Sequence, residues 1–491
     1  MTSTIHTYLA IWLFFSVGAS TSGDKYSKTE EIRRHITYLA SDELKGRGIG
    51  TPEIDRAAAY IARYFDQQGL QTIEGLAGYY QEFDLAERQA PLSIELVLGD
   101  QKISMNEGII MANGEDLKLD DADIEFVDFG TEEDLSGKSL EGKIVVTKLG
   151  FPGQDQMESY YSQMDKKRNL IRKSGAIALV ELYKSKQIPW NRMARFFGGG
   201  GLNIKTSESP FPHFFIRDTT VLETLSALKD AKASIVVETS EPKIIQAKNV
   251  IGYIDGTDPA LKDEVILVGA HYDHVGIGRP VNNENNEPDS IYNGARDNAA
   301  GTVALMMAAK ELSQNPPKRP VALIAITAEE SGLVGSRYYA SNPAIALKRT
   351  AFFLNNDNGG YNDTTITTVV GASRSNVKAA IKEGIAKKGL EFYDSEELDQ
   401  GFFERSDNIS LSVKGVPSAT ISMGFRQMDN EITQYYHQPA DEVESIDMAY
   451  ITKWIEGFVE ATRNIADMEE KPFWKKDDSF EELGKKLYDL E

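Results

Sequence analysis

EVILVGAHYDH (264–274) decides the fold. Six uncharged residues, Val265 to Ala270, run without polar alternation straight into His271, Asp273 and His274. A short apolar run of this kind reads as a strand buried on both faces, and such strands belong to sheets covered by helices. Working outward, GTVALMMAAKEL (301–312) reads as a helix, PVALIAITA (320–328) as a strand and SRYYASNP (336–343) as a helix. TAFFLNND (350–357) and VPSATISMG (416–424) read as strands, and residues 448–468 as an amphipathic closing helix. The alternation predicts an α/β fold with a mixed, largely parallel central sheet flanked by helices.

In open α/β sheets, ligands bind beyond the carboxyl ends of the strands, so the residues that end each apolar run carry the chemistry. Here they are His271, Asp273 and His274; Glu329 and Glu330; and Asn355, Asn356 and Asp357. Asp297 lies before the next helix and His437 after the last strand. The chain has six histidines, and three of them fall in these turns. Carboxylate oxygens mixed with imidazole suit Zn²⁺, Co²⁺ or Mn²⁺, and a carboxylate can bridge two such ions about 3.5–4 Å apart. Each residue alone has a plainer reading, the acids as helix caps and the histidines as hydrogen-bonded loop groups. Their recurrence at successive strand ends favours a metal site.

Upstream, residues 28–44 and 51–69 read as two amphipathic helices, the second opened by Thr51 with Pro52 at its first position and closed by Gly69. Between about Ala90 and Lys248 short apolar runs (SIELVLG, IEFVDFG, KIVVTKL, AIALVELY, FPHFFIRD, SIVVET) alternate with Gly, Asp and Ser, which predicts a separate strand-rich domain. A helix-like basic stretch lies near Lys166 to Lys173. Gly198 to Gly201 reads as a flexible loop, because no helix or Lys-Ser/Thr signature follows it. The apolar run from Tyr8 to Ala19 reads as a cleaved secretory signal or as a buried first helix; at about a dozen residues it is short for a membrane span.

The chain has 491 residues, with 53 basic and 75 acidic side chains and a net charge of −22. That balance argues against a nucleic-acid partner, whose binding protein would carry a basic face. There is no cysteine, which excludes disulfides, thiolate metal sites and cysteine nucleophiles. No G-x-S-x-G elbow supports a serine hydrolase, and no H-E-x-x-H supports a zincin.

Five segments in order, GAHYDHVG (269–276), SIYNGARDNAAGT (290–302), ITAEESGLVGS (326–336), FFLNNDNGG (352–360) and YYHQPADEV (435–443), resemble the M28 family of cocatalytic zinc peptidases. YLASDELKGRGIGTP (38–52) extends the likeness to the N-terminal helices. EGKIVVTK (141–148) and RKSGAIALVEL (172–182) resemble a protease-associated domain. With residues 1–19 read as a signal peptide from their apolar run, the resemblance implies a discontinuous peptidase domain over 28–89 and 249–470, a protease-associated-like domain over 90–248, and a C-terminal tail over 471–491. It implies two Zn²⁺, replaceable by Co²⁺ or Mn²⁺, one held by His271 and Asp357, the other by Glu330 and His437, with Asp297 bridging.

Glu329 resembles the family's general base. Asp273 would orient His271, and Asp441 would do the same for His437. Tyr436 stands where relatives place a phenol that polarises the scissile carbonyl, or is a packed aromatic. Arg405 and Asp407, in GFFERSDN (401–408), would bind a substrate terminus or pair with each other; His274 reads as a structural or rim residue. Arg296 takes the position before the bridging acid, where an acidic residue is frequent, which bears on metal affinity or substrate charge. The implied protein is a secreted or periplasmic exopeptidase acting on peptides, most often an aminopeptidase. A carboxypeptidase or dipeptidase would share every ligand, and a catalytically inactive receptor-like protein is the rival of another class.

Overall fold

The computed structural model describes residues 27–98, 101–105, 108–153, 163–184, 188–206, 209–217, 232–282 and 285–490. The signal-peptide reading of 1–19 lies outside the described residues.

The apolar runs form the strands Val265–His271, Val321–Ile326, Thr350–Asn356 and Ser418–Ser422, all parallel neighbours at the centre of a nine-stranded sheet and buried at every position. Burial on both faces explains why their sequences lack alternation. Outside this centre the pairing changes. Lys243–Ile254, Tyr80–Gln89 and Gly200–Ile204 extend the sheet antiparallel on one side. On the other side Ile366–Val370 adds antiparallel, and Glu391–Tyr393 is parallel to it. The sheet is therefore mixed, with its parallel character concentrated in the centre.

One face of this sheet is covered by the helices Lys28–Leu39, Pro52–Gln67, Ala300–Gln314, Lys378–Ala386 and Met448–Ala466, whose apolar stripes share one core with the central strands. Local signals fix where these helices begin. Ser27 and Glu30 form a reciprocal capping box, and the Thr51 hydroxyl accepts from the Ile54 amide with Pro52 at the first position.

An eight-stranded sheet gathers the short apolar runs between Ser93 and Glu238 in the order 101–104, 93–98, 232–238, 117–126, 144–148, 178–183, 213–217, 109–113. Gly198 to Gly201 does not form the flexible loop its composition suggests. Gly198 caps the helix Trp190–Phe197, and Gly200–Ile204 pairs with Tyr80–Gln89 at the edge of the nine-stranded sheet. Gly200 has φ +92°, and a Cβ there would sit 2.0 Å from the Arg88 carbonyl oxygen, so the close strand approach requires glycine.

The C-terminal stretch also has structure. Trp474 is buried and donates from Nε1 to the Gly415 carbonyl, and the helix Glu481–Tyr488 is anchored by the Tyr488 hydroxyl on the Thr350 carbonyl.

Candidate metal centre

The parallel strands end on one edge, and their last residues meet there. His271 ends the first strand, Glu329 and Glu330 follow the second, and Asp357 follows the third. Asp297 enters from the turn before Ala300–Gln314, and His437 from the loop after the last strand. Two groups of ligand atoms result, in each of which all atoms lie within 4.8 Å of one another: His271, Asp297 and Asp357; and His274, Asp297, Glu330 and His437.

Asp297 belongs to both groups through different oxygens. Its Oδ1 lies 3.4 Å from His271 Nε2 and its Oδ2 3.3 Å from His437 Nε2. His271 Nε2 is 3.2 Å from Asp357 Oδ1, and His437 Nε2 is 3.0 Å from Glu330 Oε2. Four ligands at zinc bond lengths of about 2.0–2.1 Å would stand about 3.3 Å apart along a tetrahedral edge. The observed separations fit that spacing.

Electrostatics agree with the geometry. Burial opposes a charged His437, yet the carboxylates of Asp297 and Glu330 outweigh it and push the ring up to about 10. Burial likewise works against an ionised Glu330, and against it stands Asp297, but the rings of His274 and His437 pull it down to about 2. Imidazoles that hold protons this firmly mark a place short of positive charge. Divalent cations would supply it.

Glu329 shares the pocket floor with these ligands but belongs to neither group. Burial pushes its carboxyl well above the ordinary range, and Asp357, Asp407 and Glu330 push it further, against the pull of His271. The turn that carries the two adjacent acids is held by Asp273, whose Oδ1 accepts the Glu329 amide at 3.1 Å and whose Oδ2 accepts the Glu330 amide at 3.3 Å. Asp273 also faces His271, with its carbonyl 3.3 Å and its carboxylate 3.8 Å from Nδ1, which leaves Nε2 pointing to the cluster. Ala328 and His437 both have positive φ, +55° and +53°. Strained backbone at the two turns that present Glu329 and a ligand is characteristic of functional sites.

Two readings change with the structure, those of Asp441 and Asp407, and two are narrowed, those of His274 and Arg296. Asp441 does not orient the His437 ring. Its carboxylate accepts from the backbone amides of Arg296 and Asp297, at 2.9 and 3.1 Å, and so fixes the turn that carries Asp297. Burial pushes its carboxyl up to about 6. Asp407 is fully buried and does not line the pocket, so it cannot meet substrate, and among the described residues it forms no ion pair with Arg405. Burial pushes it up to about 7.

His274 is not at a rim. It is 2% exposed, its Nδ1 lies 2.8 Å from Glu330 Oε1, and its Nε2 has no hydrogen-bond partner among the described residues. Gly294 makes room for it: φ is +59°, and a Cβ would come 2.5 Å from the His274 ring. Arg296 does not reach the pocket to influence substrate charge. Its guanidinium lies between the rings of Tyr361 and Tyr435, 4.4 and 3.8 Å from their centroids, and Nε donates to Ser445 Oγ. It braces the loop that presents Tyr436 and His437.

Tyr436 lines the pocket and stacks on the His437 ring at 4.0 Å. Arg405 is exposed and lines the same pocket.

Several residues here escaped the sequence reading. The Ser406 hydroxyl donates to Asp357 Oδ2 at 2.6 Å and itself accepts from Asn355. Asn298 donates to the Asn356 carbonyl and accepts from Asn358, tying two turns together. Arg47, fully buried, donates to the carbonyls of Leu39, Tyr272, Asn293 and Gly294, locking the N-terminal helices to the site. Burial pulls its guanidinium down to about 10 despite the surrounding carboxylates. The motif YLASDELKGRGIGTP contained Arg47 without marking its role.

Residues 249–462 match Peptidase family M28. That segment, less than half of the chain, is what is similar to the family. The M28 segment contains every candidate ligand and Glu329. The chain is 28% identical over 234 residues to Aminopeptidase YwaD of Bacillus subtilis (strain 168), a stretch that covers 46% of this chain and 45% of the relative. It is 25% identical over 219 residues to Aminopeptidase Y of Saccharomyces cerevisiae, covering 43% and 37%. The matched stretch thus spans less than half the length of these curated relatives. Among solved structures, the aminopeptidase from Aneurinibacillus sp. strain AM-1 superposes with a TM-score of 0.53 over 92% of this chain and 96% of that one, at 21% identity. That likeness is one of fold.

Proposed function

We propose that the protein is a zinc-dependent exopeptidase, an aminopeptidase, that hydrolyses peptide bonds at a two-metal site. The observation that supports this reading best is Asp297, whose two oxygens serve two adjacent ligand groups inside the M28 segment. His271 and Asp357 would hold one ion and Glu330 and His437 the other. When bound, two divalent ions supply Lewis-acid polarisation of the scissile carbonyl and an acidified water.

The chain's own groups carry the proton. Glu329, held as a base with an elevated proton affinity, takes a proton from the attacking water onto a carboxylate oxygen and delivers it to the nitrogen of the leaving amine as the C–N bond breaks. Water's oxygen remains on the new carboxylate, so the balance is that of simple hydrolysis. Tyr436 lines the pocket, and its hydroxyl would donate to the carbonyl oxygen as negative charge develops there. The names of the relatives favour the amino-terminal over the carboxy-terminal direction.

The test is a panel of unblocked and N-acetylated peptides with purified protein, Zn²⁺ and a chelation control. Cleavage of unblocked peptides alone, lost on chelation, is expected. Cleavage from the C-terminus of blocked peptides would replace this reading with a carboxypeptidase, and no cleavage by metal-loaded protein would replace it with a binding function.

Residues 1–19 as a secretory signal would make the enzyme secreted or periplasmic; N-terminal sequencing of protein recovered outside the cytoplasm tests this. The strand-rich 90–248 region, read as protease-associated-like, contributes Gly200–Ile204 to the nine-stranded sheet, and its Asp165 Oδ2 lies 2.5 Å from Arg337. No helix among the described residues is long and apolar enough to cross a membrane.

A further inference from the structure

The pocket beside the metal centre has an apolar wall that includes Val370, Phe402, Phe425 and Met428. Behind that wall lies the C-terminal stretch, beyond the segment that matches M28. The two meet at a pair of neighbours in sequence. Phe402 ends the helix Glu396–Phe402, lines the pocket and meets Phe425 edge to face, with ring centres 5.6 Å apart. Phe403 opens the short turn Phe403–Arg405, is 1% exposed and does not line the pocket; its ring centre lies 6.0 Å from that of Phe480.

Arg374 binds the two sides together. Its guanidinium lies 4.1 Å from the centre of the Phe403 ring and 4.9 Å from that of Phe480, and it makes a two-pronged pair with Asp478 at 2.8 and 3.2 Å. Such a fork fixes orientation as well as distance. Trp474 packs on Phe480 at 5.3 Å and belongs to the same apolar cluster as Val370 and Phe425. The backbone joins too: the Asn376 amide donates to the Phe473 carbonyl and the Lys475 amide to the Arg374 carbonyl.

We propose that the C-terminal segment 473–480 sets the shape of this pocket, with Trp474 and Phe480 as positioning residues that act through Phe403 on Phe402. The inference rests on the exopeptidase reading. A packed interior has few voids to absorb a displacement, so it passes one on. Space opened behind Phe403 lets the turn that carries both rings relax, and Phe402 recedes from the pocket. An apolar pocket discriminates by contact, so the loss falls on substrate residues long enough to reach the wall and spares glycine.

The experiment compares metal-loaded wild type with Phe480→Ala and Phe480→Leu on amidated peptides that differ only in a first residue of Leu or Gly. The readout is the Leu-to-Gly ratio of kcat/KM, with KM and kcat separated and zinc content measured on the same samples. Phe480→Ala is expected to lower the ratio about tenfold, mainly through KM, the scale of one methylene in a hydrophobic pocket. Phe480→Leu refills most of the space and should restore most of the ratio. If Phe480→Ala does not fold, Asp478→Asn decides by the same ratio, because it frees Arg374 and leaves every ring in place.

A wild-type ratio in Phe480→Ala, or a fall shared equally by Leu and Gly peptides, would overturn the role and confine the segment to stability, leaving the exopeptidase reading intact. If wild type cleaved no peptide, the exopeptidase reading would fail, and calorimetric binding of free leucine against glycine would judge the segment by itself. A leucine preference that weakens in Phe480→Ala supports the role. The same preference in both proteins, or none in wild type, overturns it.

Discussion

Among the described residues, two buried charged clusters, one in each of the two large sheets, are built on opposite rules. In the eight-stranded region Lys167, Glu181 and His213 are each 0% exposed, and the lysine and the histidine both pair with the one carboxylate. Lys167 Nζ donates to Glu181 Oε2 at 2.6 Å and to the carbonyls of Lys148 and Gly150, while His213 Nε2 stands 2.9 Å from Glu181 Oε1. At the metal centre Asp273, Asp297, Glu329, Glu330, Asp357, Asp407 and Asp441 face three imidazoles and Arg47, so negative charge is in excess, and the cluster opens to a pocket. A cluster that balances its own charge and is closed to solvent holds a fold together. A cluster left short of positive charge beside a cavity is arranged for something that arrives.

This contrast can be broken most forcefully at Glu329. Glu329→Gln keeps the shape of the site and removes the proton carrier; kcat is expected to fall about 10²–10⁴-fold or more. Zinc content measured on the same sample should stay that of wild type. Near-normal turnover would remove Glu329 from the chemistry and leave the excess charge unexplained.

Next in size is the closed cluster. Lys167→Met strands the Glu181 charge in the interior, and a loss of about 3–5 kcal/mol is expected in denaturant unfolding of the strand-rich region. Lys167→Met combined with Glu181→Leu should recover much of that loss, because both charges are then gone. If the double variant were as unstable as the single one, mutual pairing would be the wrong account of this cluster.

The same contrast governs what the sequence revealed. Strands such as VILVGA were legible because burial on both faces leaves an unbroken apolar run, and the ligands were legible because they end those runs at fixed positions. That reading singles out His271, Asp297, Glu330, Asp357 and His437, and the fold gathers their side chains into two groups that share Asp297. What stayed hidden depends on contacts between distant segments. Arg47 reaches carbonyls 225 to 247 positions away, and Ser406 meets Asp357 49 positions back; neither has a local pattern. Asp441 and Asp407 were misplaced for a related reason. Spacing from His437 or Arg405 says nothing about which way a side chain turns once the loop is packed. Lys167, Glu181 and His213 lie on separate elements of the strand-rich region, and in sequence they are an ordinary lysine, glutamate and histidine.

A smaller effect is expected at Arg296, where packing serves the site from outside it. Arg296→Met keeps the length of the side chain and removes the cation between Tyr361 and Tyr435 and its bonds to Ser445. With the 435–437 loop released, His437 is less well held, and zinc affinity measured by competition with a chelating dye should fall about 10-fold, the lower end of outer-shell effects. Unchanged affinity would confine Arg296 to stability.

The smallest expected effect is the pH response of the closed cluster, and its sign follows from charge balance. Burial lowers the proton affinity of His213 below its ordinary value of 6.5, against the pull of Glu181. Burial also opposes ionised Glu181, but Lys167 and His213 hold it down to about 2 from 4.5. In both cases the unfolded chain binds protons more readily than the folded one, so stability falls as pH falls. The loss begins below about pH 6.5 through His213 and continues from about 4.5 towards 2 through Glu181. At pH 5 the His213 contribution is bounded at about 2 kcal/mol, the cost of denying the ring a proton it would hold when unfolded. Hydrogen exchange of the strand Ala178–Tyr183 at pH 7 and pH 5 measures it locally, and His213→Gln should flatten the difference while leaving the response of the metal centre unaltered. An equal pH response in the variant would mean that the histidine is a spectator and that Lys167 and Glu181 alone close the cluster.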